Sequence, residues 1–293
     1  MANQFGFLII DKPKGVTSHD CVQKVRRIFS IKKVGHGGTL DPAVTGVLPI
    51  AIGNATRLLP YLPGEKTYKG VIQLGCRTTT DDLQGEVINK NTWPIISHES
   101  IDNYLENFRG NIKQIPPNVS SVHIEGERAY KKVRRGETFT LQEKEVKIYK
   151  LDLQNWNQTK GQITIKVNCS AGTYIRSIAR DIGNEIGCGG CLKELRRVKA
   201  LGFDERQAII LPEKAQLNTI KDSNIINPIQ GLKHLEKIQL ITPEDENKWK
   251  TGQIIDCSNE NILISKSYND ISPEKFFFNS KFVVVLGCDG DIE

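Results

Sequence analysis

Residues 35–50, GHGGTLDPAVTGVLPI, hold four glycines and two prolines around a single carboxylate, Asp41. Glycines at 35, 37 and 38, followed by Pro42, favour turn conformations, so neither helix nor regular strand is expected across them. The rest of the chain must fold around this irregular loop. A loop held by a rigid scaffold is where a functional carboxylate belongs. An Asp before a proline also caps turns, so the residue's surroundings decide between the two roles.

The segments around the loop carry both periodicities of regular structure. FGFLII at 5–10 reads as a buried strand, and DKPKG behind it as a turn. TSHDCVQKVRRIF reads as a helix: Thr17 and Asp20 form a capping box, and Val22, Val25 and Phe29 share one face. Lys24, Arg26 and Arg27 lie off that face, and Lys32 and Lys33 carry positive charge up to the loop. KTYKGVIQL and QITIKV alternate as strands, with a polar loop GCRTTTDDLQG between glycines after the first. NCSAGTYIRSIARDIG turns at Gly172 and continues as a helix with a Tyr174, Ile178, Ile182 stripe and Arg176 in its first turn. A helical connection is expected over 211–237, and short apolar runs beyond it suggest a small β-rich domain.

A chain of 293 residues suits one large domain with a smaller one. With 38% apolar and 25% charged residues it has the make-up of a soluble protein. The N-terminal apolar run is short and followed by Asp11 and Lys12, and no run approaches a membrane span, so a cytoplasmic protein is expected. Seven cysteines without a regular framework fit a reducing compartment. From Lys237 onward six Lys and Arg face ten Asp and Glu, a net −4, which leaves 34 against 24, or +10, on residues 1–236. That asymmetry fits a polyanionic partner for the larger domain.

Common enzyme signatures fail in turn. GHGGTL lacks the lysine that a nucleotide-phosphate loop needs after its glycines. NCSAG imitates a hydrolase nucleophile elbow around Ser170, but Asn168 replaces its first glycine and no partners follow. Cys188 and Cys191 have metal-ligand spacing without a second pair, so CGGC reads as a tight turn between two helices. Neither metal nor cofactor is expected. A carboxylate can attack sugars and electrophilic rings unaided, and Asp41 is placed for such work.

Four stretches in colinear order, LIIDKPKGVTSHDCV, GHGGTLDPAVTGVLPIAIGNATRL, KTYKGVIQLGCRTTTDD and CSAGTYIRSIARDIG, resemble the bacterial TruB family of tRNA pseudouridine synthases. The resemblance runs from about Phe7 to about Arg197, with Val44 as a departure where an alanine is usual. It implies an α+β pseudouridine synthase fold, with a mixed, largely antiparallel sheet flanked by helices, over residues 1–236, and an RNA-binding insertion near 113–140. Residues 237–293, acidic and ending at LGCDGDIE, would form a small β-rich, PUA-like domain, either truncated or diverged. The implied reaction isomerises uridine 55 in the T-arm loop of tRNA to its C-glycoside, after flipping the base, and assistance with tRNA folding is a second implied service.

The resemblance also assigns roles. Asp41 is the nucleophile; attack on the sugar, attack on the ring and help with proton removal at C2′ all remain open. Tyr68 stacks on the target uracil and takes part in the final deprotonation, and Arg176 pairs with Asp41 as its permanent counter-charge. His36 fills the place of the flipped base. Asp82, Tyr174 and Lys66 face the substrate nucleotide. In GERAYKKVRRGE, Arg128, Lys131, Lys132, Arg134 and Arg135 around Tyr130 suit RNA contact. The implied partner is the tRNA T-arm, with no membrane, no protein partner and a monomeric state. Two rivals stand beside this reading: an RNA-folding protein with idle catalytic groups, and an enzyme acting on a small sugar or phosphate compound.

Overall fold

The computed structural model describes residues 5–124, 126–213 and 220–235, and beyond them only isolated residues and two-residue strands at 238–239, 263–264, 285–286 and 291–292. In chain order the elements are β1 (Gly6–Lys12), α1 (Ser18–Phe29), β2 (Val34–His36), β3 (Thr45–Ile52), β4 (Lys66–Leu74), β5 (Cys76–Thr78) and β6 (Val87–Lys90). There follow α2 (His98–Glu106), β7 (Gly110–Gln114), β8 (His123–Ile124), β9 (Glu127–Arg128), α3 (Ala129–Arg134) and β10 (Lys144–Asn157). The order closes with β11 (Gln162–Cys169), α4 (Ile175–Ile186), β12 (Gly190–Ala200), β13 (Phe203–Asp204) and the single turn α5 (Pro228–Gly231).

One sheet organises the described chain. Its order is β1-β3-β12-β4-β11-β10-β7, with β2 on β3 and β13 on β12. Every pairing in it is antiparallel except β3 with β12, so the sheet is mixed and largely antiparallel, as the resemblance implies. Alternation along the strands divides the interior. Leu8 and Ile10 of β1, with Leu48 and Ile50 of β3, enter the larger core, where Val22, Val25 and Ile28 of α1 and Ile178 and Ile182 of α4 meet them. Phe7, Ile9, Val47 and Ala51 point the other way and pack with Leu58, Phe203 and Leu232.

The helix at 18–29 begins where expected. Thr17 accepts from Asp20 N–H, Asp20 accepts in return from Thr17, and Ser30 ends the helix in the left-handed region. Several expectations need correction. Gly35 and His36 are not in a turn but pair with Ala51 and Ile50 as strand β2, so the irregular loop spans residues 37–44. Tyr174 is the N-cap of α4, with extended backbone, rather than part of its apolar stripe. The CGGC turn joins helix α4 to strand β12, not two helices. Within the expected polar loop after β4, Cys76–Thr78 pairs with Val87–Lys90. The connection over 211–237 contributes, among its described residues, the short α5 and a 3₁₀ turn at Asp222–Asn224. The proposed tail domain lies mostly outside the described residues.

Candidate active site

The loop carrying Asp41 is pinned from several sides. At its start Gly37 donates to Pro49 O at 2.9 Å, and the Arg197 guanidinium donates to Gly38 O at 3.1 Å and Val47 O at 2.8 Å. The Ser18 hydroxyl, in the first turn of α1, accepts from Leu40 N–H at 2.8 Å and donates to Leu40 O at 3.1 Å. On the far side Pro42 O accepts from Gly15 N–H at 2.7 Å. The fully buried Lys12 ammonium ties Pro13 O and Val16 O at 2.9 and 2.7 Å and reaches Pro42 O at 3.4 Å. Burial pushes the Lys12 amine below its ordinary value, with the nearby Asp41 charge acting against that shift.

Between these anchors the Asp41 side chain remains 45% exposed, while its partner Arg176 is 8% exposed. Arg176 Nη2 lies 3.0 Å from Asp41 Oδ2. The same guanidinium donates to Thr80 O at 3.0 Å and Val119 O at 2.9 Å, and its Nε is 3.8 Å from Asp82 Oδ2. One arginine on the first turn of α4 thus fastens three loops together. The start of that helix is itself held: Gln114 on β7 bonds both Tyr174 N–H, at 2.8 Å, and Tyr174 O, at 3.0 Å. Asp82 also shapes its own loop, accepting from Thr80 Oγ1 at 2.6 Å and Gln84 N–H at 3.0 Å.

Beneath the loop, Lys66 and Tyr68 lie two apart on β4 and so share a face, and Arg197 on β12 is Tyr68's register partner. Tyr68 is 7% exposed and Arg197 is fully buried. Burial pushes the Tyr68 phenol up; the Arg197 charge across the strand pair pulls the other way. Lys66 is lowered by burial and then by Arg197. Gly38 has φ +126°, and a Cβ there would lie 3.4 Å from Lys66 Nζ and 3.7 Å from Arg197 Nη1. His36 Nδ1 accepts from Gly38 N–H at 3.3 Å, and burial, followed by Arg197, holds the imidazole below its ordinary range. A hollow of about 410 Å³ lined by Lys69, Lys150, Lys166 and Lys199 holds none of these groups.

The structure therefore brings Asp41, Arg176 and Asp82 into one cluster and Tyr68, Lys66 and His36 into the floor and wall around the same loop. Sequence reasoning missed Lys12, Ser18 and Arg197. Lys12 follows Asp11 at the end of an apolar run, and Arg197 stands among Lys193, Glu194, Arg196 and Lys199, so nothing in the local sequence marks either as buried.

The five basic residues near 128–135 lie apart, on the β8–β9 hairpin and α3. They are not equally free. Arg135 pairs with Glu127 and, at 2.6 Å, with Glu137, and Lys132 Nζ is 4.0 Å from Glu137. Arg134 stacks over the Tyr130 ring at 5.4 Å, and Arg128 donates to Ser121 O. Lys131 is exposed.

Comparison with known proteins places these features in a family. Residues 26–175 match the model of the TruB family pseudouridylate synthase N-terminal domain, and residues 176–228 that of the tRNA pseudouridylate synthase B C-terminal domain. A tRNA pseudouridine synthase B of Prochlorococcus marinus strain NATL1A is 52% identical over 97% of this chain and 91% of its own. That of Synechococcus sp. strain CC9311 is 54% identical over 87% and 86%. Among solved structures, a chain in a Cbf5-Nop10-Gar1 complex superposes with a TM-score of 0.61 at 28% identity, over 81% of this chain and 64% of that one. With the family models covering the Asp41 loop, β4 and α4, and relatives above 50% identity spanning nearly all of the sequence, the chain belongs to the TruB family of pseudouridine synthases.

Proposed function

We propose that this chain isomerises a uridine of tRNA, position 55 of the T-arm loop, to pseudouridine, with Asp41 as the attacking group. The relatives' name, tRNA pseudouridine synthase B, supports the substrate and the reaction. The observation that carries the assignment of Asp41 is its setting: a half-exposed carboxylate on a loop anchored at both ends, oriented by a buried arginine 3.0 Å away, above a buried tyrosine.

The target base must leave its stack to be reached, at a cost of a few kcal/mol. His36, neutral and at the loop's edge, fills the space the base leaves. The flipped uridine enters over Tyr68, with Lys66 and Tyr174 beside it and Asp82 bracing Arg176. Asp41 then adds to the sugar or the ring, or assists at C2′. The C1′–N1 bond breaks, the uracil turns while held, and C5 bonds to C1′ with loss of its proton. Nothing is oxidised or reduced, and no metal or cofactor is called for.

Residues 1–236 are proposed as the catalytic domain, with the segment near 113–140 as its RNA-binding insertion, and 237–293 as a small PUA-like module. Action as a monomer is proposed with it. The five described cysteines, all buried free thiols, fit work in the cytoplasm. Among the described residues no helix is long and apolar enough to cross a membrane.

Carbodiimide labelling followed by reverse transcription of a treated tRNA transcript tests the assignment. A single stop one nucleotide before position 55 is expected. A stop elsewhere, or none, contradicts the proposed target.

A further inference from the structure

Arg197 is the largest fully buried side chain, and no carboxylate faces it among the described residues. A buried cation without an anion is costly by several kcal/mol, so its setting calls for an explanation. Two of its nitrogens donate to backbone carbonyls, Val47 O and Gly38 O, and Nη1 has no well-aligned partner. The ionisable side chain directly across the strand pair is Tyr68, itself buried and its register partner, and it is the group whose charge would offset that of Arg197. Its neighbour Lys66 adds positive field to the same spot.

We propose that Arg197 is a positioning residue for the reaction: the counter-ion of the Tyr68 phenolate, which makes Tyr68 the acceptor of the C5 proton. This rests on the reading of Tyr68 given above. A resting phenol leaves Arg197 unmatched, and deprotonation supplies the anion it lacks. The proton count closes as follows. The C1′–N1 electron pair leaves with the uracil, and the Tyr68 phenol proton neutralises the ring at the freed nitrogen. C5 then bonds to C1′, the C5 proton moves to the phenolate, and the enzyme returns to its starting state.

The groups facing Tyr68 set the timing. Arg197 from β12 favours the phenolate, whereas Asp41 from the loop and Cys169 from β11 oppose it, with Lys66 on Tyr68's own strand and His36 beside Arg197. If Asp41 is the nucleophile, its negative charge disappears once it bonds to substrate. The phenolate thus becomes easier to form at the stage that needs it.

The test follows single-turnover conversion of tRNA against pH, with tRNA binding measured in parallel, for wild type, Arg197→Met, Arg197→Lys and Tyr68→Phe. Arg197→Met is expected to slow turnover about 100-fold, the size of losing one preorganised donor, while still binding tRNA. The falling limb of its rate profile, where the resting phenol ionises, should move to higher pH, and C5-deuterated tRNA should show a larger isotope effect. Replacing Tyr68 by 3-fluorotyrosine, a more acidic phenol, should restore part of the lost rate. If Arg197→Met does not fold, Arg197→Lys, which keeps charge without the fork, should show the smaller shift and the same rescue. An unchanged pH profile and isotope effect, with no rescue, would make Arg197 a scaffold residue and overturn the inference. A Tyr68→Phe enzyme as fast as wild type would instead overturn the reading of Tyr68 itself.

Discussion

At the scale of single residues, electrostatics and burial separate groups that the sequence shows as alike. His36, on a polar stretch like other histidines of the chain, is shifted downward by burial and the Arg197 charge. Its folded value lies below the unfolded one, so between the two the unfolded chain binds more protons and stability falls as pH drops. Wild type should therefore lose stability relative to His36→Asn from about pH 6.5 downward, until pH passes the folded value, and the two should run parallel above it. Urea unfolding at a series of pH values measures the difference; identical slopes below pH 6.5 would contradict it. Arg176 and Asp41 were legible as a pair because a resemblance named them. Arg197 was not, because a buried arginine in LRRVK looks like any solvated charge until the register with Tyr68 is known.

At the scale of elements, α1 acts through Ser18, whose hydroxyl makes two hydrogen bonds to Leu40 next to the catalytic loop. Ser18→Ala should lower turnover roughly tenfold through the loss of loop positioning, with tRNA affinity little changed, as steady-state kinetics and binding would show. Gly46 is the tightest joint in the sheet. Its φ is +106°, and a Cβ would meet Arg197 O at 2.2 Å where β3 runs parallel to β12. Gly46→Ala should cost more than about 2 kcal/mol in chemical unfolding. The elements read most easily from sequence were those with clean periodicity, such as β4 and β11. The long strands β10 and β12 were missed for a physical reason. Irregularities between Ile148 and Lys150, between Leu153 and Asn155, between Leu192 and Glu194, and between Arg197 and Lys199 reset the two-residue alternation. In β12 a buried arginine then adds a polar letter to an inward position.

At the scale of the whole molecule, charge decides how RNA is met. The +10 balance of residues 1–236 was visible in the sequence, but its distribution between free and paired cations was not. Arg135 is held by Glu127 and Glu137, whereas Lys131 is exposed and has no ion pair among the described residues. Lys131→Ala should lower the dependence of log affinity on log salt by roughly one unit, and Arg135→Ala by less, in titrations of tRNA binding. Equal changes would mean that the acidic partners of Arg135 are displaced when RNA binds.

The central claim is that Asp41 performs a base-reattachment reaction rather than merely shaping a turn. Tritium release from tRNA labelled at uracil C5 tests it most directly, because that hydrogen is lost only when the base is rejoined through C5. Wild type should release one tritium per tRNA, and Asp41→Asn should bind the same tRNA and release none. Release by Asp41→Asn at the wild-type rate would remove the carboxylate from the chemistry and leave it a structural role in the loop.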